Sequence, residues 1–465
     1  MREFAENDRR AKGDGAGSAG QRVYFIALMI LFQLLSKGDL AVLSIMVDDV
    51  KRDLAISDFQ FSAAQSLAAM IFYAIGGLAL GGLADRHARN RILYLGVTIW
   101  SVASAACGLA TNFVQLFVAR IFVGFGEASL SPCFGSLASD LFSPKRLLTV
   151  MSVFSASAVV GGGLALALGG LLLDWITASH PFHATIMGSL APWRVVVLLM
   201  SLPGILFAFL ALFLREPAGR GAARREDAGW TQYRHYVRSH LGLFVKVIIG
   251  FSLLSLVNQA MLSWGPAYAR RVLGLSAGEV GSVIGQVTIF GGVGGTLLAG
   301  LLTDYLYGKG HRDACLWLAA LGAIIAAPLA VIGLLANSSI AFFAVAAVVQ
   351  CLVYSHIGPA FGFIQLITPP HARGKSTGLL LLVLIFAALG FGPMIVAGLT
   401  DFAFRSDLAV GKSLAIVIGA CLPLAAFLLL SARRDFRRWS DGQAAVPVPG
   451  AAVPAGFGDA ARASL

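Results

Sequence analysis

The sequence predicts an all-α membrane protein: twelve transmembrane helices in two six-helix bundles. Three observations lead there. Of the 465 residues, 57% are hydrophobic and only 13% charged, with a mean hydropathy of +0.80. Charged residues make up about a quarter of an ordinary soluble chain, and no domain of ordinary size hides so much apolar side chain from water. Second, twelve apolar segments each reach the roughly 20 residues that cross a hydrocarbon core. Third, when these segments are threaded back and forth, 25 of the 35 Lys and Arg fall on one side. Soluble enzyme, DNA-binding protein, coiled coil and secreted disulfide domain are excluded by composition alone.

Residues 1–21 form a polar, Gly-rich tail with charges of both signs and no signal-peptide pattern. The expected spans follow at 22–47, 58–84, 91–111, 113–140, 146–174 and 193–214, then at 241–265, 278–303, 314–336, 339–366, 376–400 and 411–432. They must be helices, because in lipid only a helix satisfies its own backbone and the segments lack barrel alternation. The seven basic residues Lys51, Arg52, Arg194, Arg270, Arg271, Arg405 and Lys412 occupy the less basic side, so both termini are expected in the cytoplasm. The net charge of +11 is then a sorting signal and an anionic-lipid contact, not a nucleic-acid footprint.

The loop 215–240 divides the chain into N-terminal (22–214) and C-terminal (241–432) bundles. Its Trp230, Tyr233 and Val237 recur at helical spacing between Arg224, Arg225, Arg234 and Arg238. Two readings stand for it, a helix lying on the membrane surface and a solvated charged linker. The tail 433–465 turns Pro/Ala/Gly-rich after Trp439 and is expected to be mostly disordered. The five cysteines sit in apolar runs without metal-ligand or pairing spacing, as small core residues.

A motif occurs twice. Gly81-Gly-Leu-Ala-Asp85-Arg86, followed by Arg89 and Arg91, joins spans two and three, and Gly300-Leu-Leu-Thr-Asp304, followed by Lys309 and Arg312, joins spans eight and nine. Gly allows close helix approach, and a carboxylate at a helix end can bind a neighbouring helix N-terminus. Gly81, Asp85, Arg86, Arg89, Gly300, Asp304 and Arg312 are therefore read as a conformational latch. The arrangement resembles the signature loop of the major facilitator superfamily of secondary transporters, with Ala88 where Gly is common. The runs Leu116-Phe-Val-Ala-Arg120-Ile-Phe-Val-Gly124-Phe-Gly126-Glu127-Ala128, Asp140-Leu-Phe-Ser-Pro144, Arg215-Glu216-Pro217, Trp264-Gly-Pro266 and Gly390-Phe-Gly392-Pro393 look like its bacterial Spinster-like branch. That resemblance implies a small amphiphilic substrate of the lysolipid or sphingolipid kind, and export.

An ionisable residue at mid-membrane costs about 2.5–3.5 kcal/mol on insertion scales, so each needs a partner or a task. Asp39 lies beyond the middle of span one and Arg120 a third of the way down span four, at similar depth, so a salt bridge between them is expected. Glu127, seven residues on from Arg120, shares its helix face about 10 Å away. The resemblance matches all three residues and implies proton coupling, with Arg120 exchanging between the two acids. Where family members commonly carry Arg after the Asp, this chain has Leu40; Lys37 either supplies the missing charge or snorkels to the interface. In the C-terminal half Gln286, Tyr354 and His356, with Lys37 opposite, are the expected cavity residues. Gly161-Gly-Gly163 and Gly291-Gly-Val-Gly-Gly295 lie inside apolar helices and have neither a Walker lysine nor a Rossmann context.

The sequence thus points to a proton-coupled secondary transporter, a monomer in a bacterial inner membrane, with protons, an amphiphile and the bilayer as its partners. No enzyme activity, cofactor, metal or nucleic acid is expected. An importer of an organic anion held by Arg120 is the second reading; a lipid-modifying enzyme or a non-transporting receptor stand further off.

Overall fold

The computed structural model describes residues 19–73, 76, 88–179, 190–215, 230–369 and 372–444. In the N-terminal half these form α1 (Ala19–Ile45), a short α2 (Val47–Leu54), α3 (Asp58–Ser62), α4 (Arg89–Leu109), α5 (Phe113–Glu127), α6 (Leu130–Leu141), α7 (Pro144–Ser179) and α8 (Pro192–Phe207). A linker helix α9 (Trp230–Ser239) leads to α10 (Leu241–Arg271), α11 (Ala277–Gly308), α12 (Ala314–Leu335), α13 (Ser339–Tyr354), α14 (Ile357–Leu366), α15 (Arg373–Ile385), α16 (Gly392–Gly398) and α17 (Val410–Ala444). There is no strand among the described residues. Eleven helical stretches are long and apolar enough to cross a membrane, α5 with α6, α13 with α14, and α15 with α16 each counting as one. The remaining expected span starts at α3, passes through π-helical turns at Ala63–Ala68, and enters residues 77–87, which lie outside the described residues.

Local chemistry sets where these helices begin. Ser57 and Ser276 each close a capping box, with Gln60 and Glu279 respectively, and the Asn112 side chain caps α5 by accepting from the Gln115 backbone. Several helices overrun their expected ends, α10 reaching Arg271 and α11 Gly308 among them. Helix α7 extends to Ser179, and α17 runs to Ala444, so part of the tail expected to be disordered is helical. The extension is anchored: Arg433 and Arg437, one turn apart, both donate to Asp313 at the start of α12. Burial pushes the Asp313 carboxyl up, but the two guanidinium groups outweigh it and hold it below the usual carboxylate range.

Helix α9 forms in the linker for which a membrane-surface helix and a solvated charged segment both stood, and it packs on the C-terminal bundle. Tyr233 is buried, and the Tyr236 hydroxyl donates to the Ile367 carbonyl. Tyr236 also meets Phe244 edge-on, while Arg234 and Arg238 point outward. Its apolar side is spent on the C-terminal bundle, because tyrosines find hydroxyl partners there that lipid would not offer.

The chain crosses so that α1, α4, α7, α10 and α12 run away from the termini and α5–α6, α8, α11, α13–α14 and α17 run back. The two halves meet along α7 and α11 from the far side to mid-span. A Cβ on Gly170 would stand 2.2 Å from the Ala277 carbonyl, one on Gly281 2.2 Å from that of Leu166, and one on Gly285 2.4 Å from that of Gly163. Only glycine permits such backbone contact. The last contact of this series is Gly292 with Val159. Beyond it α11 leaves the other half, and Leu297, Leu298 and Leu301 are exposed. Among the described residues the halves are therefore joined on the far side, and α11 stands free of the N-terminal half on the other side. Gly285→Val is expected to wedge the seam, lowering stability by about 1–3 kcal/mol as overpacking does and depressing the melting temperature in detergent.

Candidate functional site

Four charged side chains converge in the N-terminal half. Helix α1 supplies Lys37 and Asp39, and α5 supplies Arg120 and, as its last residue, Glu127. Helix α5 comes close to its neighbours because glycine allows it: a Cβ on Gly124 would lie 2.2 Å from the Ala69 carbonyl, and one on Gly126 2.6 Å from the Trp100 backbone nitrogen. Just past Glu127 the helix breaks at Ala128–Ser129 before resuming as α6, with the fully buried Ser129 hydroxyl returned to the Gly126 carbonyl at 2.8 Å. The other half repeats this interruption. Helix α13 ends at Tyr354 and α14 begins at Ile357, with His356 between them. Paired broken helices at corresponding places in two halves are a structural pointer to a mid-membrane transport site.

The charged groups do not pair as the sequence predicts. The Asp39 carboxylate accepts from the Ser104 hydroxyl at 2.7 Å. Arg120, only 1% exposed, donates through Nη2 to the backbone carbonyl of Asp39 at 3.3 Å. The expected salt bridge is thus replaced by a grip on the α1 main chain. Arg120 Nε and Nη1 have no hydrogen-bond partner, and neither has Oε1 of the buried Glu127. The cation nearest Glu127 is Lys37, its Nζ 3.9 Å from Oε2. The ammonium also lies 5.9 Å from the centre of the Tyr73 ring, whose hydroxyl is 3.4 Å from Ser131 Oγ. Lys37 therefore turns inward to the acid instead of snorkelling. Only Gly38 separates Lys37 from Asp39, and a step of two helical positions turns them to different sides, Lys37 to Glu127 and Asp39 to Ser104.

The expected cavity residues of the C-terminal half separate. Gln286 is exposed. Tyr354 is buried against Gly292 of α11, beside Asn258. His356 is 1% exposed, with Nε2 2.6 Å from Ser255 Oγ and Nδ1 against the Val353 carbonyl. Both its ring nitrogens are occupied within the C-terminal core, so it holds the α13–α14 break together and does not face a cavity.

Of the latch residues, Gly81, Asp85 and Arg86 lie outside the described residues. Arg89 pairs with Asp140 at the end of α6. In the second copy, Gly300 has open space at its Cβ position, and Asp304 and Arg312 are exposed. The buried acid of that loop is Asp313, which the motif does not contain. The course of α11 explains this, since it has already left the N-terminal half at that depth.

A network missed from sequence closes the far side. Arg271, its side chain 4% exposed, donates to both carboxylate oxygens of the fully buried Asp58 at 2.7 and 2.8 Å and to Asp48 at 2.7 Å. Arg270 reaches Asp49 at 2.7 Å and the Ile45 carbonyl at 2.6 Å. Lys51 lies between Asp58 at 2.6 Å and Asp407 at 3.0 Å, and the Phe59 backbone donates to Asp401 at 2.7 Å. Apart from the Lys51–Asp58 pair, which lies within the first loop itself, each strut joins that part of the N-terminal half to the C-terminal half. The sequence signal was the acid-rich run Asp48-Asp49 and Asp53 with Asp58, on the same side as the adjacent pair Arg270-Arg271.

Residues 29–393 match the Major Facilitator Superfamily. An MFS-type efflux pump of Mycolicibacterium smegmatis is 24% identical over 422 residues, covering 89% of this chain and 93% of that protein. A probable L-galactonate transporter of Escherichia coli is 26% identical over 303 residues, 62% of this chain and 63% of its own length. Protein spinster of Drosophila melanogaster is 24% identical over 322 residues, 67% of this chain but only 51% of that protein. Among solved structures, a bacterial homologue of the human lysosomal transporter Spinster, in an inward-facing and unoccupied conformation, superposes with a TM-score of 0.76 at 22% identity, covering 91% of this chain and 98% of that one. Helices broken at corresponding places in the two halves and these matches give one answer: the chain belongs to the major facilitator superfamily of transporters and is similar, within it, to the Spinster proteins.

Proposed function

We propose that the protein is a proton-coupled secondary transporter of a lipophilic or amphiphilic organic compound, working by alternating access in a bacterial inner membrane with both termini cytoplasmic. The far side, closed by the Arg271 network, is then the outer face, and the conformation described is open inward. The observation that carries the coupling is Arg120, a buried guanidinium with two unpartnered nitrogens, Nε and Nη1, beside two acids. Leaving such donors unpaired costs about 1–3 kcal/mol or more each, so they are best understood as bonds made in another state. In that state Arg120 takes the Asp39 or the Glu127 carboxylate. Because it already holds the main chain of α1 at Asp39, a change of charge on that residue is felt directly at the α1–α5 contact. Protonation at Asp39 removes the anion that competes for the guanidinium, and rocking of the halves about the site follows.

The efflux pump that matches along nearly its whole length supports export. The relative named a probable L-galactonate transporter supports the organic-anion substrate of the second reading, import of such an anion held by Arg120; the burial of Arg120 weighs against its holding the carboxylate, and Lys37 is the better placed cation. Proteoliposomes with an imposed pH gradient of either polarity, offered lysolipids, fluorescent amphiphiles and galactonate, decide between them. Amphiphile movement driven by protons flowing the opposite way is the expected result. Galactonate uptake with protons would replace export by the second reading, and flux indifferent to the gradient would remove coupling from both.

A further inference from the structure

We infer that Lys37 is the group that receives an anionic head, carboxylate or phosphate, of the transported amphiphile. The inference rests on the transport reading of this site and names the chemistry that the site recognises.

Of the two cations in the cluster, only one can be reached. Arg120 is 1% exposed and spends its one bond on a backbone carbonyl. The Lys37 side chain is 33% exposed, against 4% for Glu127. Its separation from Glu127, 3.9 Å, is well beyond the roughly 2.7–2.9 Å of a charge-assisted hydrogen bond. The ammonium is thus held near the acid by charge and has donors to spare. Around it lie the Tyr73 ring and hydroxyl and the exposed Ser131 hydroxyl, from two further segments. An ammonium with spare donors, two hydroxyls and an aromatic face make a receptor for a compact oxyanion carrying an apolar tail. Leu40, next to Asp39, offers no second cation, so removing Lys37 leaves the exposed part of the site without positive charge. An anion arriving there takes over the ammonium from Glu127 instead of having to break a tight bond.

The test is equilibrium binding to purified protein in phosphatidylcholine nanodiscs, with no gradient present. The probes are radiolabelled decanoate, decyl phosphate and the neutral decanamide, the last two separating head-group type from charge. Wild type is expected to bind at least one of the two anions more tightly than the amide. Lys37→Met is expected to lose roughly 10-fold or more for that anion, as the loss of one charge-assisted contact implies, and little for decanamide. Lys37→Arg should restore most of it, and melting temperatures establish that the variants are folded. Equal binding of the anion by wild type and Lys37→Met, equal losses for anion and amide, or no binding of either anion by wild type would each overturn the inference. Failure of pH-gradient-driven flux with charge-selective binding intact would instead sink the coupling reading and leave Lys37 as the anion receptor.

Discussion

Asp39→Asn is expected to abolish accumulation driven by a pH gradient while preserving substrate exchange between the two faces of the membrane. Asn keeps an oxygen that can accept from the Ser104 hydroxyl, which donates to the Asp39 carboxylate at 2.7 Å. It also keeps the backbone carbonyl that Arg120 grips. What it removes is the proton and the charge. The variant should therefore fold, bind and exchange labelled substrate near wild-type rates. Gradient-driven accumulation should fall by roughly 10-fold or more, since coupling between sites is commonly worth 1–3 kcal/mol. Counterflow measured beside gradient-driven uptake in one preparation separates the two effects. Loss of both together would mean that Asp39 is a structural residue, and retention of both would remove it from coupling.

Arg271→Met should have the largest effect on conformation. Asp58 is fully buried and receives two bonds from Arg271, with Lys51 at 2.6 Å as its other cation. Removing one partner of a buried pair typically costs 3–5 kcal/mol. Much of that falls on the conformation described here, because Arg271 belongs to the C-terminal half and Asp58 to the other, so the contact exists only while the far side is shut. A complete reversal of a two-state population takes about 5.5 kcal/mol, so the variant should move strongly toward the outward-open state. Ser62, buried where α3 meets the Pro393 carbonyl, is a suitable reporter. In a background without the native cysteines, Ser62→Cys should react with a membrane-impermeant maleimide far faster when Arg271→Met is present. Adding Asp58→Asn should return part of the difference by removing the stranded charge. An unchanged labelling rate would show that the network does not hold the far side closed.

Hydropathy made the spans legible, because length and the scarcity of charge are properties of each segment alone. The same scarcity singled out Asp39, Arg120 and Glu127. Pairing was not legible. Helical spacing places Arg120 near Asp39 but does not say that its guanidinium meets the main-chain carbonyl while Ser104, from another helix, takes the carboxylate. Lys37 was ambiguous for the same reason: snorkelling and turning to Glu127 need the same side chain, and the choice depends on a partner 90 residues away. His356 looked like a cavity group because a lone histidine in an apolar span has no visible acceptor in sequence; the structure gives it Ser255 and the Val353 carbonyl. The far-side network showed in sequence only as a cluster of acids, because its struts from Arg270, Arg271, Asp401 and Asp407 join residues of different halves, and which loop meets which depends on the conformation. Asp313 escaped the repeat motif since its partners, Arg433 and Arg437, lie in what reads as the start of a tail.

Coupling requires protons to cross the cluster around Arg120 as substrate moves the opposite way. The most direct measurement imposes a gradient of transported substrate, with no initial pH difference, on proteoliposomes containing a trapped pH dye. Wild type is predicted to change the internal pH as substrate moves, and Asp39→Asn to move substrate in exchange without a pH change. Substrate movement by wild type at constant internal pH, or an undiminished pH change in Asp39→Asn, would contradict it.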